Sequence, residues 1–266
     1  MSSVRPPAVA GIFYPADPRQ LAHDLGELLN EATPHDLIPK ALIAPHAGYI
    51  YSGAIAASAY ATLLPVADRI RRVILLGPTH RVAIRGLALP GTDAFDTPLG
   101  RITVDAAAAR AIADLPQVSI SPLVHAQEHS LEVHLPFLQS VLKDFTLLPL
   151  AVGMATAEEV AEVLERLWGG EETLIVISSD LSHYLPYTTA RHVDKQTVQS
   201  MLQLQQPLSH EQACGATPIN GLILAAHRHR LTPHLLDLRN SGDTAGSRDQ
   251  VVGYAALAFT AGDRDE

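Results

Sequence analysis

His46, His80 and Cys214 are the residues whose types and surroundings most directly imply chemistry. His46 lies in APHAGYIYSG and His80 in LGPTHRV, short Gly/Pro-flanked segments rather than amphipathic faces. Histidine is the commonest metal-binding side chain, and the small Ala47 and Gly48 would let backbone approach a bound ion. The competing reading of either residue is a histidine packed at a strand end and satisfied by a backbone carbonyl. Cys214, in EQACGATPING, is the single cysteine, so an internal disulfide is excluded. It is a small buried hydrophobe, a reactive thiol or a metal ligand, and its place just before a helix start favours the thiolate.

Asp180 and His183 stand three apart in SSDLSHY. On a helical turn they would share a face, the carboxylate would fix the imidazole tautomer, and the pair could move a proton. Asp180 as a helix N-cap is the alternative. In EHSLEVHLPFL, His129 and Glu132 align on a helix, as do Glu128 and Glu132, while His134 is rotated away. His129 and Glu132 are therefore candidates for a pocket wall, unless the run is simply a solvated or structural helix start. Its spacing departs from the H-E-x-x-H zinc-protease pattern. Asp243, in RNSGDTAGS, either reaches the pocket or serves a turn. The signatures of phosphate loops and of serine-hydrolase elbows are both missing.

The elements that must position these groups read as alternating apolar strands and helices. Lys40 to His46, Arg71 to His80, Phe145 to Val152 and Thr173 to Ser178 are short apolar runs, read as buried strands. Pro18 to Glu31, Ser52 to Leu64, Asp105 to Ala113, Leu131 to Leu142, Ala157 to Trp168 and Thr188 to Leu204 read as helices. Thr217-Pro218 offers an N-cap and first-turn pair for a helix through His229. His234 to Leu238 and Val251 to Phe259 read as closing strands. Such alternation implies an α/β protein with a mostly parallel sheet covered on both faces. Ligands then bind outside the carboxyl ends of the strands. His46, His80 and the Asp180/His183 pair all follow such ends.

The 266 residues suffice for one domain over 1–266 that needs no disulfide or structural metal to fold. A net charge of −9 with scattered basic residues argues against a phosphate-driven nucleic-acid binder. No apolar run is read as a membrane span, and MSSVRPPAVAGIFYP lacks the pattern of a secretory signal, so residence is expected to be cytoplasmic.

Taken together, AGIFYPADP, PHAGYIYSG, LGPTH, EHSLEVHLPFL, SSDLSHY, ACGATPING and NSGDTAGS with VVGYAALAF resemble the Memo family nearly end to end. Prokaryotic members are often called AmmeMemoRadiSam system protein B. The resemblance implies an α/β/α sandwich similar to the extradiol non-haem iron dioxygenases. It also implies a pocket metal, iron or copper, with zinc as the other choice, held by His46, His80 and Cys214. Asp180 and His183 fall on the family's other pocket residues, and Tyr51 on the second tyrosine-type position of its PHAGYxYSG loop. Phe13 stands where many members have Trp. Radical SAM and AMMECR-type proteins are the partners the family's name implies. A thiolate in place of the facial-triad carboxylate is softer and itself oxidisable. It turns the expectation from ring cleavage toward metal binding with redox chemistry, with a zinc hydrolase or a non-catalytic partner-binding protein as alternatives.

Overall fold

The computed structural model describes residues 3–262, so the ends of the expected 1–266 domain lie outside the described residues. The first half of the chain forms β1 (Val4–Arg5), α1 (Pro18–Glu31), β2 (Pro39–Ala44), α2 (Tyr49–Tyr60), β3 (Arg72–Pro78), β4 (Leu87–Leu89), β5 (Ala94–Thr97), β6 (Gly100–Thr103) and α3 (Ala106–Ile112). Then come β7 (Val118–Ile120), α4 (Pro122–Ala126), α5 (Leu135–Val141), β8 (Thr146–Val152), α6 (Ala157–Leu167), β9 (Thr173–Ser178) and β10 (His183–Leu185). The chain closes with α7 (Tyr187–Leu202), α8 (Ala216–Arg228), β11 (Leu231–Asn240) and β12 (Val251–Ala261). Among the described residues the main sheet has nine strands in the order β10-β12-β2-β9-β3-β8-β4-β7, with β11 also on β12.

The four central strands β2, β9, β3 and β8 are parallel, as the alternation implied. The margins are where the sheet changes direction: β12 runs antiparallel to β2, β10 and β11, and β4 runs antiparallel to β8. Each central strand is buried on both faces because its apolar residues alternate between two cores. Leu42, Val73, Leu75, Leu174 and Val176 pack with Leu21 and Leu25 of α1, Ile55 of α2 and Phe137 of α5. Ile43, Ile74, Leu76, Ile175 and Ile177 pack with Ile112 of α3, Val160 and Leu164 of α6 and Leu222 of α8. Burying each such side chain stabilises the fold by roughly 1.5–3 kcal/mol. The result is the expected α/β/α sandwich.

Local signals start the helices. Asp17 caps α1 by accepting from the backbone N–H groups of Arg19 and Gln20, and Thr156 with Glu159 forms a reciprocal capping box on α6. At α8 the chain differs from expectation. The helix begins at Ala216 with Gly215 as its cap, and the Thr217 hydroxyl lies 3.2 Å from His210 Nε2 instead of capping. Tyr49–Val66, which joins α2 to a 3-10 turn at Ala61–Val66, does reach 18 residues with enough apolarity to cross a membrane, contrary to the sequence reading. Two thirds of that window is buried inside the fold, so it serves as a core helix.

Candidate metal centre

The parallel register sets β2 and β3 on either side of β9, with Ala44 opposite Ser178 and Leu76 opposite Ile177. Three chain exits therefore open on one rim, and they carry His46, His80 and the Ser178–Asp180 backbone. Ring nitrogens of His46, His80 and His129 lie within 4.8 Å of one another. The His80 and His129 rings stack at 4.7 Å, and the His46 ring meets His80 edge-on at 5.1 Å.

Hydrogen bonds fix which nitrogen each ligand candidate offers. Ser178 Oγ donates to the Ser130 carbonyl at 2.6 Å, so it can only accept from His46 Nδ1, also at 2.6 Å. His46 is thus held as the Nδ1–H tautomer with the Nε2 lone pair free. Glu128 does the same for His80, accepting from its Nδ1 at 2.9 Å and from its backbone N–H at 2.6 Å. Glu128 Oε1 also accepts from the backbone N–H groups of His129 and Ser130, each at 3.0 Å. Burial alone would raise its pKa, but these bonds from His80 and Ser130 hold it down to about 2. Such carboxylate- and hydroxyl-anchored imidazoles are the usual support of a metal-ligating histidine. Burial, and then the charges of His80 and His129, push His46 well below its ordinary value, so it is a neutral donor.

Cys214 Sγ lies 3.4 Å from His46 Nε2. Donor atoms of one tetrahedral ion bonded at roughly 2.0–2.3 Å stand roughly 3.5 Å apart, so this pair fits a shared metal. Gly215 permits the approach: a Cβ there would meet the Ser178 carbonyl oxygen at 2.5 Å and Ser179 Cβ at 2.7 Å. The thiolate expected from the helix start is not what the metal-free site favours. Burial and the neighbouring Asp180 charge push the thiol up to about 12, outweighing bonds from the Asp180 and Gly215 backbone. A bound cation would have to displace that proton.

The expected helical Asp180–His183 pair is not formed. Residues 179–182 are irregular, and His183 opens β10, opposite Val252 of β12. Their backbone groups bond elsewhere: Ser179 N–H to Ala44, Leu181 N–H to Gly253, and the Asp180 carbonyl to Cys214 N–H. Asp180 is not a helix cap either. One carboxylate oxygen accepts from the His46 backbone N–H at 2.8 Å, and the other lies 3.9 Å from His46 Nε2. Burial raises the Asp180 pKa, and the His183 charge acts on it in the opposite direction. Asp180 therefore lies against His46, whereas His183 stands at the start of β10, and the two do not form a helical pair.

The remaining candidates part company. His129 joins the cluster directly, and its outer side meets Phe13 at 4.7 Å. Tyr51 is in the first turn of α2, 36% exposed. Glu132 is not on the pocket wall: it is 0% exposed and accepts from Arg5 Nη1 at 2.5 Å, the Tyr14 hydroxyl at 2.7 Å, Ala8 N–H at 2.8 Å and Val9 N–H at 3.0 Å. Asp243 serves its turn, accepting from Asn240 N–H at 3.0 Å and the Tyr187 hydroxyl at 2.5 Å. Sequence reasoning missed Ser178, Ser130 and the orienting role of Glu128. For Glu128 the one available signal was its place beside His129 in the run.

The profile of the family described as "Memo-like protein" matches residues 5–258. A MEMO1 family protein of Aquifex aeolicus is 37% identical to this chain, covering 96% of it and 99% of the relative. Another, from Methanosarcina barkeri, is 36% identical with the same coverage of both chains. The crystal structure titled uncharacterized protein JW3007 from Escherichia coli K12 superposes with a TM-score of 0.55 at 15% identity, over 82% of this chain and 98% of that one. At that identity the likeness concerns the fold alone. With the family profile matched from Arg5 to Ala258 and relatives above one-third identity across their whole length, this chain belongs to the Memo family.

Proposed function

We propose that this chain is a metal-binding protein that holds iron or copper through His46, His80 and Cys214 and serves a redox or oxygen-dependent reaction. The observation that carries the reading is the tautomer control at His46 and His80. Ser178 and Glu128 occupy both Nδ1 atoms, and Cys214 Sγ stands 3.4 Å from the free His46 Nε2. A redox-active ion held there supplies one-electron chemistry, and the soft sulfur donor suits iron and copper. The protein's own part is positional and protolytic. Glu128 and Ser178 keep the imidazoles aimed, and Phe13 covers His129. Asp180 and His183 would hold or pass a proton at the rim. The presence of His129 in the same cluster favours a second reading, a zinc site built from three imidazoles, which would support hydrolysis.

Anaerobic purification without added metal, followed by elemental analysis, tests this against a His46→Ala/His80→Ala/Cys214→Ser variant. Near-stoichiometric iron or copper in the wild type, lost in the variant, is the expected result. Stoichiometric zinc would move the assignment to hydrolysis, and no metal in either protein would overturn both and point to a role through partners.

Glu128→Gln gives a finer test. It leaves one amide oxygen for the four N–H groups of His80, His129 and Ser130 that the carboxylate accepts. Metal affinity is expected to fall by about 10–100-fold, measured by competition with a chromophoric chelator. Unchanged affinity would mean that His80 is not held in place by this carboxylate.

A further inference from the structure

A cavity of about 490 Å³ opens directly onto the centre, with His80 and Cys214 among its lining residues. That volume lies within the range that takes small organic ligands. Ile84, Val152 and Met154 supply apolar wall, and Met154 is 76% exposed, so its side chain is open to a ligand. Arg81 also lines the cavity. Arg81 is solvent-exposed, and among the described residues no carboxylate lies within 4 Å of its guanidinium. Glu128, which holds His80 at the edge of the cavity, already accepts from His80, His129 and Ser130. An uncommitted guanidinium over an apolar wall matches a carboxylate attached to a hydrocarbon body, which it can bind through two parallel hydrogen bonds.

We propose that the cavity between Arg81 and Met154 is the substrate subsite and that it selects small monocarboxylates with an apolar or aromatic body, the carboxylate on Arg81 and the body against Ile84, Val152 and Met154. The overall charge of −9 acts against anions only at long range, where salt screens it. The inference rests on the metal reading for what happens to the bound molecule, but not for its binding.

The test uses 3-phenylpropionate and its uncharged amide as probes, titrated by isothermal calorimetry or ligand-observed NMR into the full chain and into Arg81→Met and Arg81→Lys variants. Metal content is measured on every sample. The wild type is expected to bind the acid at least about tenfold tighter than the amide, a difference of about 1.4 kcal/mol. Arg81→Met should bring the two probes to within about twofold, with Arg81→Lys between, and all three proteins should carry the same metal. Equal binding of acid and amide by the wild type, no binding of either, or a preference for the acid that survives in Arg81→Met overturns the proposal. The last outcome would place the carboxylate on the metal instead. A preference that follows Arg81 in protein that holds no metal would sustain the subsite while removing the metal reading.

Discussion

Glu132→Ala is expected to cost about 3–5 kcal/mol of folding free energy, the usual penalty for stripping one partner from a buried ion pair. Glu132 and Arg5 are 0% and 5% exposed. Arg5 is held in turn by the carbonyls of His125 and Glu128, each at 2.7 Å. Removing the carboxylate leaves the guanidinium charge uncompensated and orphans two backbone N–H groups and the Tyr14 hydroxyl. Glu132→Gln is expected to be nearly as harmful, because its amide NH2 would face a backbone N–H whichever way it turned, Val9 or Ala8, and the Arg5 charge would lose its counter-charge. The measurement is the shift in urea midpoint of the metal-free protein, converted with the slope of each transition. A loss below about 1 kcal/mol would show that the pair is not the anchor its geometry describes. The consequence extends to the centre, since the segment that Glu132 ties down leads to Phe13, which lies against His129.

This anchor also shows why part of the fold and site escaped the sequence. Arg5 and Glu132 lie 127 positions apart, and no local spacing links them. Helical periodicity aligned Glu132 with Glu128 and His129, but residues 132–134 form a 3-10 turn, and the two carboxylates serve different partners. The central strands were legible because burial on both faces writes a continuous apolar run, as in Thr173–Ser178. The strands β4 and β7 were not, because three residues each carry no period and their pairing is set by the neighbouring strand and glycine turns. Direction was equally silent: Val251 to Phe259 reads as a strand whether it runs parallel or antiparallel to β2.

At the site, residue type and strand-end position were enough to bring out His46, His80 and Cys214, and the fold places His46 and His80 on one rim with the sulfur beside them. The helical pair read for Asp180 and His183 is not formed. Their spacing suggested a helix, whereas β2, β12 and the Cys214 loop claim the backbone groups that a helix would need. The hydroxyl relay from Ser130 through Ser178 to His46 crosses between separate segments and has no sequence signature. The thiolate expectation failed because desolvation outweighs the dipole of a helix that starts two residues later.

Acid should unfold the metal-free protein early, and two histidines away from the cavity explain why. His125 and His134 are both buried: His125 Nε2 donates to the Ala88 carbonyl at 2.8 Å, and His134 Nδ1 meets the Tyr60 hydroxyl at 2.8 Å. Among the described residues, their other ring nitrogens, His125 Nδ1 and His134 Nε2, have no hydrogen-bond partner. Burial pushes His125 down to about 4, with the Arg5 charge adding to it, and His134 down to about 3. In the unfolded chain both titrate near about 6.5. Below that pH the unfolded state therefore binds more protons, and stability falls as pH falls. The loss begins near about pH 6.5 and saturates only near the folded values, reaching on the order of 5 kcal/mol for the two together at about pH 4. That is comparable to the whole stability of many domains. His46, lowered by burial, acts in the same direction, while Asp194, raised by burial, offsets part of the loss. Glu128, held at about 2, contributes to acid lability only at lower pH, so the histidine window comes first. A Tyr60→Phe/His134→Leu double variant removes both polar groups of one pair at similar shape, which costs little at neutral pH. Urea midpoints measured from pH 7 to pH 4.5 should fall steeply in the wild type and less steeply in this variant. Parallel slopes would show that the pH dependence arises from other groups.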